Sequence, residues 1–383
     1  MLTAMASIFM NAFSQAPAHP QSQTPAQARP IDSLHLDYKK IYALTLDGDA
    51  RSALPLVDMD TLRLSQKDAA FKRAFEERFK YTEDQSRYPD NSSAIDGLLA
   101  IYKPYWRRSV LNPATNGDSV LMQQVAVYLS AHYPPAAGLV TAGGQVKADT
   151  ALADSIDHYI VPYLGTLHLH TTGFGKTGRL IDLLVWKDQR DTTYAFTLSG
   201  DTTRAPVCLM SGFITLGWEE YATMGRLYPG GWATPASLYC VEKAYDLHSE
   251  AFLISYLGHE SRHFSDYKLF PRLKDADLEY RAKLTELSMA RTTLMRLIDF
   301  FISNANFDSG NGHSVANYCA IRDLSKVLFK SDFEKDIHKW EQLDPAAINA
   351  AAAKVLQENT QILKAAGKDV VSYIKKEKIS TTE

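Results

Sequence analysis

Residues 251–264 read Ala-Phe-Leu-Ile-Ser-Tyr-Leu-Gly-His-Glu-Ser-Arg-His-Phe, and within them His259-Glu260-Ser261-Arg262-His263 is an H-E-x-x-H. The run before the motif is apolar and has no helix breaker until Gly258, so the segment is expected to be helical. On a helix, positions four apart lie on one face about one turn from each other, so both imidazoles can reach a single metal ion. Zinc takes neutral imidazole nitrogens in a tetrahedral set, and a catalytic site keeps one position open for water. Glu260 follows the first histidine and can act on that water as a general base.

Outward from this motif the chain divides by period. From Ile31 to about Lys147 the pattern is helical. Tyr38 to Leu44 carries i, i+3, i+4 apolar spacing, Asp47-Gly48-Asp49 interrupts it, and Ala50 to Val57 resumes it. Asp68 to Tyr81 reads as one charged amphipathic helix. Between about Tyr159 and Phe213 the period switches to strands: Gly165 to His170, Leu180 to Trp186, Thr193 to Leu198 and Pro206 to Met210. Trp218 to Pro235 is rich in loop signals. After Asp246 the pattern is helical almost to the end, broken near Asn304–Gly312 and at Pro345. Helices, then a small, mostly antiparallel sheet, then helices make an α+β fold. No fixed-period repeat recurs, so a solenoid is not supported.

Composition narrows the classes. The 383 residues are 45% hydrophobic and 22% charged, with 41 Lys+Arg against 44 Asp+Glu and a net charge of −3. That apolar content can build a sizeable core. The near-neutral balance argues against nucleic acid as a partner, because phosphate neutralisation needs clustered basic residues. After the first twenty positions no uncharged apolar stretch approaches the roughly 18 residues of a membrane span. Residues 1–30 read as a signal-like leader, Met1 to Phe13 with small residues near Ala16, followed by a Pro/Gln/Ala linker from Pro17 to Pro30. The first basic residue is Arg29, so the usual positive n-region is missing. The leader points to a periplasmic or secreted protein, with a cytoplasmic one as the alternative. Cys208, Cys240 and Cys319 are far apart and form no C-x-x-C, which leaves at most one bridge and one free thiol.

Downstream of the motif lies Leu278-Glu279-Tyr280-Arg281-Ala282-Lys283-Leu284, a strongly helical stretch. Fifteen residues separate His263 from Glu279, enough for a turn through Phe270-Pro271-Arg272-Leu273 and a return. The metzincin continuation requires Gly at 266 and His at 269, where this chain has Asp266 and Leu269. From about Asp246 to Leu287 the sequence instead resembles the gluzincin group of zinc metallopeptidases. In that group a Glu on a second helix, often within E-x-x-A, completes the site. The resemblance implies Zn2+ held by His259, His263 and Glu279, with Glu260 activating water and a peptide or protein as substrate. It also implies that 151–383 is a zincin-like metallohydrolase domain, and the helical pattern before it makes 31–150 a helical N-terminal domain. Lys283 departs from the pattern, since several families carry Asp there.

Some assignments stay open. Glu286, seven residues beyond Glu279 on the same helical face, is the rival third ligand. Asp266 is i+3 from His263 and could orient a ligand histidine, or it could be an exposed helix-end acid. Thermolysin-like relatives use a downstream His and a Tyr to stabilise the oxyanion, for which His313 is the candidate and Tyr267 the weaker one. Gly173-Phe-Gly-Lys-Thr177 lacks the first glycine of a phosphate loop and precedes a strand rather than a helix. His168 and His170 alternate on a strand with no third ligand nearby and read as packing residues. Trp218 to Trp232 reads as a structural loop that could line a cleft, and Lys375 to Lys378 as a solvated helix end. Two other functions fit the residues: a non-catalytic binding protein with an accidental motif, and a zinc amidase acting on cell-wall material.

Overall fold

The computed structural model describes residues 34–85, 95–141, 143, 145–146, 151–198, 201–309 and 311–375. The expected leader and linker over 1–30 and the tail beyond residue 375 lie outside them. The fold is α+β: helices lead, a five-stranded sheet and a two-stranded hairpin follow, and helices close the chain.

Side-chain caps set the first three helix starts. Asp37 accepts from the Lys40 amide before α1 (Tyr38–Leu46), Asp49 from Ser52 before α2 (Ala50–Val57), and Ser65 from Asp68 before α3 (Gln66–Phe79). Between the first two, Gly48 sits at φ +78°, a conformation that residues with a Cβ rarely adopt. Then come α4 (Asp96–Leu111), α5 (Asp118–His132) and α6 (Leu152–Thr166). The strands are β1 (His170–Thr171), β2 (Gly175–Thr177), β3 (Leu180–Asp182), β4 (Leu184–Leu198) and β5 (Asp201–Leu216). After α7 (Gly217–Ala222) follow β6 (Gly231–Ala233) and β7 (Leu238–Val241). A π-helical segment, Ala251–Gly258, runs into α8 (His259–Leu269), followed by α9 (Asp275–Met289) and α10 (Leu294–Ser303). Helices α11 (Gly312–Leu328), α12 (Ile337–Glu341) and α13 (Pro345–Ala366) end the chain.

The large sheet has the order β1-β4-β5-β7-β6. It is mixed: β5 and β7 are parallel, with Leu209 opposite Cys240, while β1/β4 and β6/β7 are antiparallel. Three local expectations change. Gly165 and Thr166 belong to α6, because the buried stripe Ile156, Ile160, Tyr163 and Leu164 carries the helix that far. His168, at φ +55°, follows its end, which leaves only His170 and Thr171 as strand. The strand expected over Leu180 to Trp186 divides: Leu180–Asp182 is β3 of the hairpin, and Leu184 to Trp186 runs on through the strand expected at Thr193 as one continuous β4. The loop-rich span from Trp218 contains both α7 and β6.

Contacts divide the chain into two compact units, Met1–Asp188 with Ser211–Pro229 and Gln189–Met210 with Gly230–Glu383. The first is built on buried aromatics of α3 and α4, including Phe75, Tyr102, Tyr105 and Trp106, with Trp218 and Tyr221 from α7. The second holds α8 to α13, with a core along α9, α10, α11 and α13 that includes Leu284, Ile298, Ile321 and Ile348. All three cysteines are buried and free. No helix among the described residues is long and apolar enough to cross a membrane.

Candidate metal centre

The π-helical segment delivers the motif. Its buried Phe252 and Tyr256 stack on each other at 5.5 Å, which fixes the segment from one side. At its end a Cβ on Gly258 would lie 3.0 Å from the Phe196 ring, so the glycine permits the close approach. Widened turns of this kind occur often at functional sites. Regular α-helix resumes at His259, and the four-residue spacing then puts His259 and His263 one above the other, ring centroids 4.7 Å apart.

Helix α9 packs on α8 and supplies the carboxylate. Glu279 Oε2 lies 3.4 Å from His259 Nε2, and Oε1 lies 3.2 Å from His263 Nε2. One ligand atom from each of these three residues falls within 4.8 Å of the others, the one such group among the described residues. Ala282 is wholly buried on the same helix. Glu286 is placed differently: its Oε1 accepts from His259 Nδ1 at 2.7 Å. That bond keeps a proton on Nδ1, so Nε2, which faces Glu279, is the nitrogen that would bind a metal once it gives up its own proton.

The donor atoms fit a cation. His259, His263, Glu260 and Glu279 are 0–1% exposed, yet His259 Nε2, His263 Nε2 and both oxygens of each glutamate lack an aligned hydrogen bond. Buried polar atoms are ordinarily satisfied, so a cluster of unpaired lone pairs has the chemistry of a ligand set. Two imidazoles and a carboxylate suit zinc or another first-row divalent ion. The charges are strongly coupled. Burial opposes the charged form of His259, but Glu279 and Glu286 outweigh it and raise the ring to about 10. Burial likewise opposes the charge of Glu279, but His313, His259 and His263 hold its carboxyl well below the usual range. Glu260 has no such compensation: burial pushes it up to about 7, although the two histidines pull it down.

His313 is brought in by the start of α11, where the Asn311 side chain accepts from its amide. Its Nδ1 lies 2.8 Å from Glu279 Oε2, and its side chain is 20% exposed, the one member of the group open to solvent. Gly312 makes this possible. A Cβ there would lie 2.0 Å from Asp275 Oδ2 and 3.2 Å from the Ala276 amide nitrogen, so the glycine lets α11 begin close against the start of α9. Tyr267 stacks on His263 at 6.2 Å.

Asp266 departs from both sequence readings. It is fully buried, and its two oxygens accept from Arg281 Nε and Nη2 at 2.6 and 2.9 Å. The guanidinium Nη1 continues to Asn359 Oδ1 at 2.7 Å and Thr360 Oγ1 at 2.9 Å on α13. The ion pair therefore locks α8, α9 and α13 together behind the site instead of orienting a histidine. Arg281 and Asp275 had no signal in the sequence beyond their places on α9.

The remaining candidates resolve into structure. Gly175–Thr177 pairs antiparallel with Leu180–Asp182 as a hairpin, and Lys176 pairs with Asp118 at 2.6 Å, so the segment is no phosphate loop. His170 stacks on Trp186 at 6.1 Å. Trp218, Tyr221 and Trp232 are all buried. No protein-family model, no curated protein and no solved structure matches the chain.

Proposed function

We propose that the chain is a zinc-dependent hydrolase of peptide bonds. The observation that carries this reading is the buried convergence of His259, His263 and Glu279, with ligand atoms within 4.8 Å of one another and the unpartnered carboxylate of Glu260 beside them. Bound by these three side chains, a zinc ion would polarise a substrate carbonyl and lower the pKa of water.

The rest belongs to the chain itself. Glu286 fixes the orientation and tautomer of His259 through Nδ1. Glu260 takes a proton at its carboxylate from the attacking water and returns it to the leaving nitrogen. Burial raises that carboxyl above the ordinary carboxylate range, which favours its taking and returning a proton near neutral pH. Burial also keeps bulk water from competing for it. His313, at the solvent edge, offers an imidazole to the developing oxyanion. The test is Glu260→Gln, which is nearly isosteric and leaves the three ligands in place. It is expected to bind zinc stoichiometrically and to lose at least about 100-fold in hydrolysis of a labelled casein, the usual worth of a general base. Retained hydrolysis in that variant would remove Glu260 from the mechanism.

A further inference from the structure

Lys283 is one turn beyond Glu279 on α9, and its side chain is 6% exposed. Its Nζ lies 3.9 Å from Glu279 Oε2 and 4.7 Å from the centroid of the Phe301 ring. A buried ammonium is costly unless paired. Here its charged partner is the carboxylate of the candidate ligand set, and its second contact is an aromatic face that attracts cations. Glu279 Oε2 is thus shared among His259, His313 and Lys283, at 3.4, 2.8 and 3.9 Å.

Resting on the metal-site reading above, we propose that Lys283 is a positioning residue, an internal counter-cation that competes with the metal for Glu279. With no ion bound, the ammonium adds its charge to the three imidazoles that face the buried Glu279 carboxylate. With an ion bound, the same fixed positive charge opposes it across the carboxylate. Both effects act in one direction: Lys283 stabilises the metal-free site and weakens the metal complex. The site then forms without its ion, loads after folding and exchanges the ion, unlike a structural centre whose binding energy is folding energy. Phe301 suits this role because its ring holds the ammonium next to Glu279 without taking up a carboxylate oxygen.

Zinc titrations of the full chain by chelator competition test this, with wild type, Lys283→Met, Lys283→Gln and Lys283→Arg compared at one pH and ionic strength. Lys283→Met and Lys283→Gln are expected to bind zinc about 10–100-fold more tightly, the scale on which residues behind the ligands change metal affinity. Their metal-free forms should melt lower than wild type, and Lys283→Arg should stay within a few-fold of wild-type affinity. Damage to the structure could only loosen binding, so a gain in affinity separates the proposed role from a packing role. Unchanged or weaker binding in both neutral variants overturns the inference and leaves the metal site intact. Wild-type protein that binds no zinc overturns both.

Discussion

Replacing Asp266 with alanine removes half of an ion pair that has no contact with solvent. Asp266 and Arg281 are both 0% exposed, and the two bonds between them are 2.6 and 2.9 Å long. In the variant the guanidinium keeps the neutral acceptors Asn359 and Thr360 but loses its counter-charge. Those two bonds exist in both proteins and offset nothing. Breaking a buried pair from one side costs about 3–5 kcal/mol, because the remaining charge is desolvated and uncompensated. Against a total stability of about 5–15 kcal/mol, that is a large fraction of what holds the unit together. The double variant Asp266→Ala with Arg281→Met removes both charges and fills much of the volume, and it should recover to within about 2 kcal/mol of wild type. The assay is urea unfolding read by hydrogen exchange at the amides of α8 and α9, which scores this unit separately from the other. A cost below about 1 kcal/mol for Asp266→Ala, or a double variant no better than the single one, would refute the reasoning.

Two further outcomes follow from the packing around the site. Gly312→Ala puts a Cβ 2.0 Å from Asp275 Oδ2 and 3.2 Å from the Ala276 amide nitrogen. It should cost about 1–3 kcal/mol by overpacking, read by thermal melting. Glu250 accepts from the Thr293, Arg291 and Thr292 amides and from both threonine hydroxyls, at 2.7–3.0 Å. Burial raises its carboxyl, but these donors outweigh burial and hold it at about 2, below the ordinary 4.5. Its contribution is therefore complete above about pH 4.5 and is lost as pH falls toward 2. Discounted for its partial exposure, that is about 1–2 kcal/mol. Wild type should lose this amount relative to Glu250→Gln between pH 5 and 2, measured by chemical denaturation; parallel pH curves would contradict the assignment.

The legible parts of this protein were those that repeat at a fixed interval. The α+β order followed from the change of period, and the helical reading of 38–44, 50–57 and 68–81 from amphipathic spacing; the caps Asp37, Asp49 and Ser65 that start these helices came from the structure. The H-E-x-x-H could be read because i, i+4 geometry needs only one helix. Tertiary contact decided the rest. Glu279 and Glu286 lie on the same face of α9, and only the packing of α9 on α8 separates them: one reaches both Nε2 atoms, the other reaches His259 from behind. Asp266 finds Arg281 15 residues on and, through it, α13, a pairing no local rule reports. The strand region expected from about Tyr159 starts too early because Gly165-Thr-Leu-His-Leu-His alternates like a strand, while the buried stripe from Ile156 carries α6 to Thr166. The π-helical segment carries no sequence signal distinct from that of an α-helix.

The most direct test is metal binding by the purified chain, stripped with chelator and titrated with zinc, beside His259→Ala, His263→Ala and Glu279→Gln. Wild type should bind one equivalent, and each of the three variants should lose affinity by at least about 100-fold while remaining folded. Wild-type protein without zinc, or any of the three variants binding zinc as tightly as wild type, would contradict the assignment of His259, His263 and Glu279 as the metal centre.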